Sequence, residues 1–185
     1  MVKHENIVEM KESFETDSHI FIVMELMPDG DLAHHDLEEL LNCSQIANVM
    51  NQLLQVLQYL HSMGIIHRDI KPDNILIEKS KKTQKIIRIK LSDFGFSKTV
   101  IPGETLSRRC GTPAFIAPEI LEQKGYGKKV DLWSAGVIFY YLVCKDVPFH
   151  SNDRQNLYKA IQTDELDTTN HEFCRLRSIT QDLIK

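Results

Sequence analysis

Residues 65–74 read IIHRDIKPDN, and this stretch predicts both the chemistry and the organisation of the chain. It places Lys71 two positions and Asn74 five positions after Asp69. Asp69 can accept a proton from an attacking hydroxyl, and the amide oxygen of Asn74 can bind a divalent cation. The ammonium group of Lys71 can neutralise charge that moves from one oxygen to another. These are the requirements of phosphoryl transfer, which is catalysed mainly by positioning and electrostatics. The alternative is a polar loop in which the aspartate and the asparagine only cap turns.

Three further motifs follow the HRD of residues 67–69. Residues 93–95 read DFG, residues 110–113 read CGTP and residues 117–119 read APE. In this order and at these separations, the motifs resemble those of eukaryotic protein kinases of the serine/threonine type, and the resemblance covers essentially the whole chain.

The resemblance implies a fold class and a division of the chain. The expected fold is α+β and protein-kinase-like, mostly the helical large lobe with the last strands of the small lobe. The end of the small lobe and the hinge are placed at residues 1–27, and the large lobe, incomplete at its C-terminus, at residues 28–185. Since no glycine-rich loop and no paired strand lysine are found in the sequence, we expect a kinase domain truncated at both ends.

The resemblance also assigns the steps of phosphoryl transfer from ATP to individual residues. Asp69 orients the acceptor hydroxyl and takes its proton, and Lys71 steadies the transferring group. Asn74 and Asp93 hold Mg²⁺. Thr112, in the CGTP motif, bonds the catalytic aspartate and lysine. Thr112 and Lys71 together favour Ser or Thr of a protein substrate over Tyr as the phosphoryl acceptor.

A nucleotide-binding role falls on residues 21–32, which read FIVMELMPDGDL. In the resemblance Met24 is the gatekeeper, and the backbone of Glu25 and Met27 faces the adenine. Asp31 is placed to bind the ribose, and Leu76 to lie under the adenine ring. The alternative for this region is an ordinary hairpin with no ligand.

Residue patterning predicts strands and helices in a consistent order. Strands are expected from Ile7, at 19–25, at 75–77 and at 86–91, with a turn at 15–18. The lysine-rich residues 78–85 are either a solvated hairpin tip or a basic docking site. Helices are expected at 31–41, from an N-cap at Ser44 to a stop at Gly64, at 130–144, at 152–162 and at 179–185. Apolar residues in the second of these helices follow a 3.6-residue period, which is typical of a core-facing helix.

Residues 93–119 lack periodicity and resemble an activation segment, the loop between DFG and APE. Kinases of this type often carry a phosphorylated threonine three residues before the glycine of GTP, and this chain has Arg108 there. Thr105 and Ser107 lie nearby, and a phosphate on either one can pair with Arg68. The alternative is that no phosphate is needed.

The remaining members of the motifs have expected structural roles. His67 and Phe94 belong to a hydrophobic stack between the lobes, and Gly95 and Glu119 complete DFG and APE. Asp131 lies at the start of an apolar helix, where its negative charge interacts favourably with the helix dipole. In the resemblance it also holds the HRD backbone.

Composition limits the other properties. The 185 residues are 42% hydrophobic, enough for one domain or part of one. The net charge of −4 gives no sign of a nucleic-acid or membrane partner. The four cysteines are widely spaced, which favours free thiols in a reducing compartment. Without a signal pattern or a long apolar run, the expected location is the cytoplasm, with the nucleus left open.

Two questions stay open at this level. The runs RCGTPAFIAPEIL and GYGKKVDLWSAGVIFYYLV resemble calcium/calmodulin-dependent and calcium-dependent kinases, but no regulatory segment is seen, so calmodulin or calcium control is undecided. Asp31 and Asp73 favour basic residues upstream of the target hydroxyl, whereas Tyr141 replaces an acidic residue that such kinases carry. The alternative function is a pseudokinase-like binding module with little or no catalysis.

Overall fold

The computed structural model describes residues 2–35, 43–101 and 103–184, which form an exposed hairpin joined to a helical body. Strands and helices are both present, and the order of elements is that of an α+β protein-kinase-like fold, as predicted. The division at residues 27 and 28 stays a prediction.

The hairpin consists of β1 (Met10–Glu15) and β2 (Ile20–Met24), paired antiparallel. Every residue of both strands is exposed, although β2 is entirely apolar. Phe14 and Phe21 stack across the pair with ring centroids 4.9 Å apart. Cross-strand contacts of this kind stabilise a hairpin that has no core of its own.

The first strand begins later than the sequence predicts. Ile7 and Val8 are buried, and Val8 N donates to the carbonyl of Leu91 at 2.9 Å. These two residues therefore pack against the helical body, and the hairpin pairing starts only at Met10.

The segment after the hairpin is also different from the prediction of a helix at 31–41. Described residues 31–35 form a bridge and bends, and residues 36–41 lie outside the described residues. Leu32 N donates to the Ile75 carbonyl at 2.9 Å, and Ile77 N donates to the Gly30 carbonyl at 3.0 Å. This pairing with a neighbouring strand holds the backbone extended where local propensity favours a helix.

Helix α1 (Cys43–Ser62) is the long core helix predicted from its apolar period. Because Cys43 is already helical, Ser44 is not its N-cap. Leu54, which the sequence places on the apolar stripe, is exposed. The buried face consists of Gln45, Ile46, Val49, Met50, Leu53, Val56, Leu57 and Leu60.

Gly64 ends the turn after α1, as predicted, with a φ of +71°. A Cβ atom there would lie 2.6 Å from the carbonyl oxygen of Val100. Both the left-handed backbone and the close approach require glycine. The chain then enters the short strand β3 (Ile65–Ile66) and the catalytic-loop sequence.

Two further antiparallel pairs frame that loop. Strand β3 pairs with β6 (Lys98–Thr99), while β4 (Ile75–Lys79) pairs with β5 (Ile86–Leu91). Single turns of 3₁₀ helix cover Pro72–Asn74 and Pro113–Phe115. The predicted strands at 75–77 and 86–91 are therefore confirmed.

The helices that follow are α2 (Pro118–Glu122), α3 (Lys129–Cys144), α4 (Arg154–Thr163), α5 (His171–Cys174) and α6 (Ser178–Ile184). Helix α3 is the predicted helix that is apolar on nearly all sides, and it contributes to a core with α1, β4 and β5. A second core lies between α2, α4 and the start of α3. Asp153, whose carboxylate accepts from Asn156 N, caps α4, so the helix starts at Arg154, two residues after the predicted start. None of the helices in the described part of the chain has the length and apolar character needed to span a bilayer.

Candidate active site

The catalytic loop is anchored from below by the carboxylate of Asp131, which is fully buried in the first turn of α3. Its Oδ1 accepts a hydrogen bond from Arg68 N at 2.8 Å, and its Oδ2 accepts one from His67 N at 3.0 Å. His61, in the last turn of α1, places Nε2 2.8 Å from the same Oδ2. The resemblance predicted the backbone contacts of Asp131, and this arrangement agrees with them.

His67 joins the loop to the strand that leads into DFG. Its Nε2 lies 3.1 Å from the Ser92 carbonyl, and Asp69 N lies 3.4 Å from its Nδ1. These contacts fit a neutral ring that donates through Nε2 and accepts through Nδ1. Burial lowers the pKa of His67, against the raising effect of nearby carboxylates such as Asp131, and so favours this neutral form. The ring also meets Phe94 edge-on at 4.9 Å, as expected for two members of one stack.

The carboxylate of Asp69 is almost completely buried, and its two oxygens have different partners. Thr112 donates its hydroxyl to Oδ1 at 2.7 Å. Lys71 Nζ lies 3.7 Å from Oδ2, and Asn74 Nδ2 lies 3.3 Å from it. The structure thus brings together the four residues predicted as catalytic, from two segments forty residues apart in the chain.

Asn74 and Asp93 are connected through the backbone. The Asn74 carbonyl accepts from Ser92 N at 2.9 Å and from the Ser92 hydroxyl at 3.1 Å. Asn74 Nδ2 donates to the Asp69 carbonyl at 2.9 Å, which orients the side-chain amide. Asp93 is exposed, and its Oδ1 accepts from Gly95 N at 3.1 Å in a tight DFG turn. Asp93 has a φ of +55°, a strained value of the kind that recurs at functional sites.

The backbone of Arg68 is also left-handed, with a φ of +69°. Its Nε donates to the Phe96 carbonyl at 2.6 Å, and one terminal nitrogen donates to the Tyr126 hydroxyl at 3.2 Å. Gly111 packs on the same residue, because a Cβ there would lie 2.9 Å from the Arg68 carbonyl oxygen. The guanidinium therefore links DFG to the region after APE.

The residues predicted to bind nucleotide are more loosely held. Met24 is 51% exposed, and Met27 is only partly buried. Glu25 accepts from Lys90 Nζ at 2.6 Å and from Glu9 N at 2.7 Å, while its own N–H donates to the Glu9 carbonyl. These bonds connect Glu25, which directly follows β2, to β5 and to the segment before β1.

Asp31 and Leu76 meet at a backbone bridge beside this hinge. Asp31 Oδ1 lies 2.8 Å from His34 Nδ1 and accepts from His34 N at 2.9 Å. Burial of Asp31 favours its neutral form, but the bonds from His34 outweigh this effect and lower the pKa of the carboxyl. The same hydrogen bond raises the pKa of His34. Leu76 is half-buried on the face of β4 opposite Ile75 and Ile77.

The candidate regulatory residues lie on the activation segment. Thr105 and Ser107 are both exposed. The Thr105 hydroxyl lies against Gly125, where an added Cβ would be 3.1 Å from its oxygen. Glu119 is half-buried in the first turn of α2, where its negative charge interacts favourably with the helix dipole.

Sequence reasoning missed three residues that shape the site. The Ser92 hydroxyl donates to the Asn74 carbonyl next to DFG. His61 hydrogen-bonds to Asp131, which also binds the catalytic loop. The Tyr126 hydroxyl accepts a hydrogen bond from Arg68. Ser92 could have been suspected from its position next to Asp93. Neither His61 nor Tyr126 carries a local sequence signal, because their contacts join residues more than fifty positions apart.

Comparison with known proteins agrees with this geometry. A family model described as the protein kinase domain matches residues 1–185. A probable myosin light chain kinase of Dictyostelium discoideum is 42% identical over 90% of this chain and 47% of its own length. The mouse serine/threonine-protein kinase DCLK3 is 37% identical over all of this chain and 23% of its own length. A calcium/calmodulin-dependent protein kinase type 1 of Macrobrachium nipponense is 35% identical over all of this chain and 52% of its own length. The chain thus spans about half the length, or less, of the curated relatives it matches.

Proposed function

The chain belongs to the protein kinase domain family, within the calcium/calmodulin-dependent-kinase-like group of serine/threonine kinases, and we propose that its protein transfers the γ-phosphoryl group of ATP to serine or threonine hydroxyls of other proteins. The observation that carries this proposal is the Asp69 carboxylate, held by the Thr112 hydroxyl at 2.7 Å with Lys71 Nζ 3.7 Å away. A buried carboxylate oriented by a hydroxyl and a cation is suited to take a proton from an incoming alcohol.

In the proposed reaction the acceptor oxygen forms a bond to the γ-phosphorus while the bond from that phosphorus to the bridging oxygen of ADP breaks. Asp69 orients the acceptor hydroxyl and takes its proton. Lys71 is close enough to the same carboxylate to neutralise charge on the transferring group. Thr112 fixes the rotamer of Asp69, so the proton acceptor is positioned before the substrate arrives.

Asn74 and Asp93 fit the hard oxygen ligands that Mg²⁺ prefers. The Asn74 amide nitrogen is engaged with Asp69, which leaves its amide oxygen as the ligating atom, and Asp93 presents an exposed carboxylate. When bound, the metal supplies positive charge at the phosphates of ATP. Ser92 connects the two residues, because its hydroxyl donates to the Asn74 carbonyl and Asp93 directly follows it in the sequence.

The nucleotide itself is proposed to lie along the hinge. The backbone of Glu25 and Met27 would face the adenine beside Met24, with Leu76 beneath the ring and Asp31 at the ribose. The proposal is supported by the backbone bridge between Asp31 and Leu76, which brings these two residues together. The ion pair of Glu25 with Lys90 holds that segment from the other side.

Calcium/calmodulin control of the full-length protein is a further proposal, supported by the name of the Macrobrachium relative. Retention on immobilised calmodulin with calcium, and release by a calcium chelator, would support it. We also propose an intracellular location, supported by the match to the protein kinase domain and by the four free cysteines.

The function is tested with the full-length protein and three peptides that differ only in a Ser, Thr or Tyr acceptor. We expect Mg²⁺-dependent transfer to the Ser and Thr peptides, and a loss of at least a hundredfold in Asp93→Asn, because a carboxylate ligand is removed. The control is Asp17→Asn, an exposed carboxylate in the hairpin turn. Nucleotide binding without transfer in the wild type would instead indicate the pseudokinase-like module.

A further inference from the structure

Tyr126 has no part in the reaction proposed above, yet its hydroxyl is at the centre of a buried cluster. The residue is only 3% exposed. Its hydroxyl donates to the Arg108 carbonyl at 2.5 Å and accepts from an Arg68 terminal nitrogen at 3.2 Å. Cys110 Sγ lies 3.8 Å from the same oxygen. Burial raises the pKa of Tyr126, which keeps the hydroxyl protonated and able to donate.

The backbone around Tyr126 is paired with the activation segment. Leu106 N donates to the Tyr126 carbonyl at 2.9 Å, and Tyr126 N donates to the Leu106 carbonyl at 2.8 Å. Leu106 is buried in the second core. Tyr126 therefore contacts the activation segment through both its main chain and its side chain.

A neighbouring contact holds the next part of the segment. The guanidinium of Arg109 lies 4.3 Å above the ring of Tyr158 on α4. Cation–π contacts of this kind add a modest attraction. Residues 106–109 are thus held at two places, by Tyr126 and by Tyr158, and Tyr126 is in turn bonded to Arg68.

Arg68 is the residue expected to meet a phosphate on this segment, but here it already has neutral partners. Its side chain donates to the Phe96 carbonyl and to the Tyr126 hydroxyl. Through Tyr126 it is connected to the backbone of residue 108, which is the position where related kinases often carry the phosphorylated threonine. Two hydrogen bonds through the Tyr126 hydroxyl connect Arg68 to the backbone of residue 108.

We propose that Tyr126 is a positioning residue that holds the activation segment in its ordered conformation without phosphorylation, by linking the Arg108 carbonyl to the Arg68 guanidinium. Its effect on catalysis acts through Arg68 and therefore rests on the proposed kinase function, whereas its effect on the segment does not. Of the two regulatory alternatives for Thr105 and Ser107, this assigns the phosphate-independent one.

Limited trypsin digestion of the full-length protein tests the proposal, because Arg108 and Arg109 are exposed cleavage sites on a segment whose backbone is held. Tyr126→Phe removes only the hydroxyl. We expect cleavage after these two arginines to become about tenfold faster, since the opening of the segment no longer breaks this hydrogen-bonded link. The matched control is Tyr140→Phe, which removes the hydroxyl of another buried tyrosine, bonded to the Asp167 carbonyl away from the segment.

Two companion measurements separate positioning from general destabilisation. Phosphatase-treated wild type and the double variant Thr105→Ala/Ser107→Ala both retain Tyr126. Both should be cleaved at the rate of untreated wild type. In phosphotransfer assays Tyr126→Phe should lower kcat/KM for the protein substrate while KM for ATP stays unchanged.

The outcomes are distinguishable from failure of the proposed function. Faster cleavage in Tyr126→Phe alone supports the proposal, even if the wild type shows no phosphotransfer. Equal cleavage in Tyr126→Phe and wild type overturns it. So does a phosphatase-treated wild type that is cleaved as fast as Tyr126→Phe, because the phosphate would then be the link.

Discussion

The catalytic loop and the predicted hinge region around Met24 differ in how far buried contacts fix the positions of their side chains. Asp69 and Asn74 are buried, and each is bonded to a residue of another segment, Asp69 to Thr112 and Asn74 to Ser92. Met24, which ends β2 at the predicted hinge, is half exposed, and all the other residues of β1 and β2 are exposed as well. The catalytic loop is therefore preorganised by buried contacts, whereas the described part of the predicted hinge region is held by more exposed ones, such as the Glu25–Lys90 ion pair and the bond from Glu9 N to Glu25.

This difference separates two kinds of energetic contribution. At the catalytic loop, removal of a polar group leaves buried partners unsatisfied, which is costly. At the hinge, removal of a side chain exposes little that was buried. Mutations in the two regions should therefore differ in size and in the quantity they change, and the predictions below test this from the largest effect to the smallest.

Asp131→Asn should give the largest loss of stability. The amide can still accept one bond, but its NH₂ group faces a backbone N–H that previously donated to a carboxylate. We expect a loss of about 3 kcal/mol in the free energy of unfolding, measured by urea titration of the full-length protein. Asp146→Asn, at an exposed carboxylate, is the control and should stay within about 0.5 kcal/mol of wild type. Equal effects would show that the loop is not anchored by α3.

Thr112→Val should lower kcat about tenfold and should also lower the free energy of unfolding, because the buried Asp69 Oδ1 loses its hydrogen-bond donor. Valine keeps the shape of threonine and removes the hydroxyl that orients Asp69, and a bond to a charged group contributes about 1.5 kcal/mol or more. Thr163→Val, at an exposed hydroxyl on α4, should leave kcat unchanged. An unaltered kcat in Thr112→Val would mean that Asp69 is positioned by other contacts.

His67 should make stability depend on pH. Because burial lowers its pKa in the folded state, the unfolded chain binds the proton first, and stability is lost as pH falls below about 6.5. His67→Phe should reduce this slope by up to about 1.4 kcal/mol per pH unit in urea titrations between pH 7 and pH 5.

His34 provides a control of opposite sign. Its hydrogen bond to Asp31 raises its pKa, so its contribution is present at low pH and is lost as pH rises. His34→Asn should therefore steepen the loss of stability on acidification. Identical slopes for wild type and His67→Phe would contradict the neutral, buried His67.

Met24→Ala should have the smallest effect on stability. Because the side chain is half exposed, the free energy of unfolding should change by less than about 0.5 kcal/mol. If Met24 borders the adenine, KM for ATP should still change several-fold while kcat stays constant. A large destabilisation with unchanged KM would mean that Met24 belongs to a core and not to the nucleotide site.

The sequence predicted the parts of the fold and site that depend on local patterns. The 3.6-residue period located α1, and the apolar run located α3. The contact between Thr112 and Asp69 was expected from the resemblance to serine/threonine kinases, in which the matching threonine bonds the catalytic aspartate.

Features that arise only in the folded chain were not predicted. Residues 31–35 are not helical because Leu32 pairs with Ile75, and the first strand starts late because Ile7 and Val8 enter the core. Tyr126 is another example, since nothing in its neighbours indicates that its hydroxyl meets Arg68. In each case a partner distant in sequence overrides local propensity.

The most direct test of the central claim is single-turnover phosphoryl transfer by the full-length protein at saturating Mg²⁺ and ATP, comparing wild type, Asp69→Asn and the exposed-site control Asp182→Asn. Single-turnover rates report chemistry separately from product release. We predict that Asp69→Asn slows transfer by a hundredfold or more, with unchanged affinity for ATP, and that Asp182→Asn matches wild type. A wild-type rate in Asp69→Asn would contradict the assignment of this preorganised carboxylate as the proton acceptor.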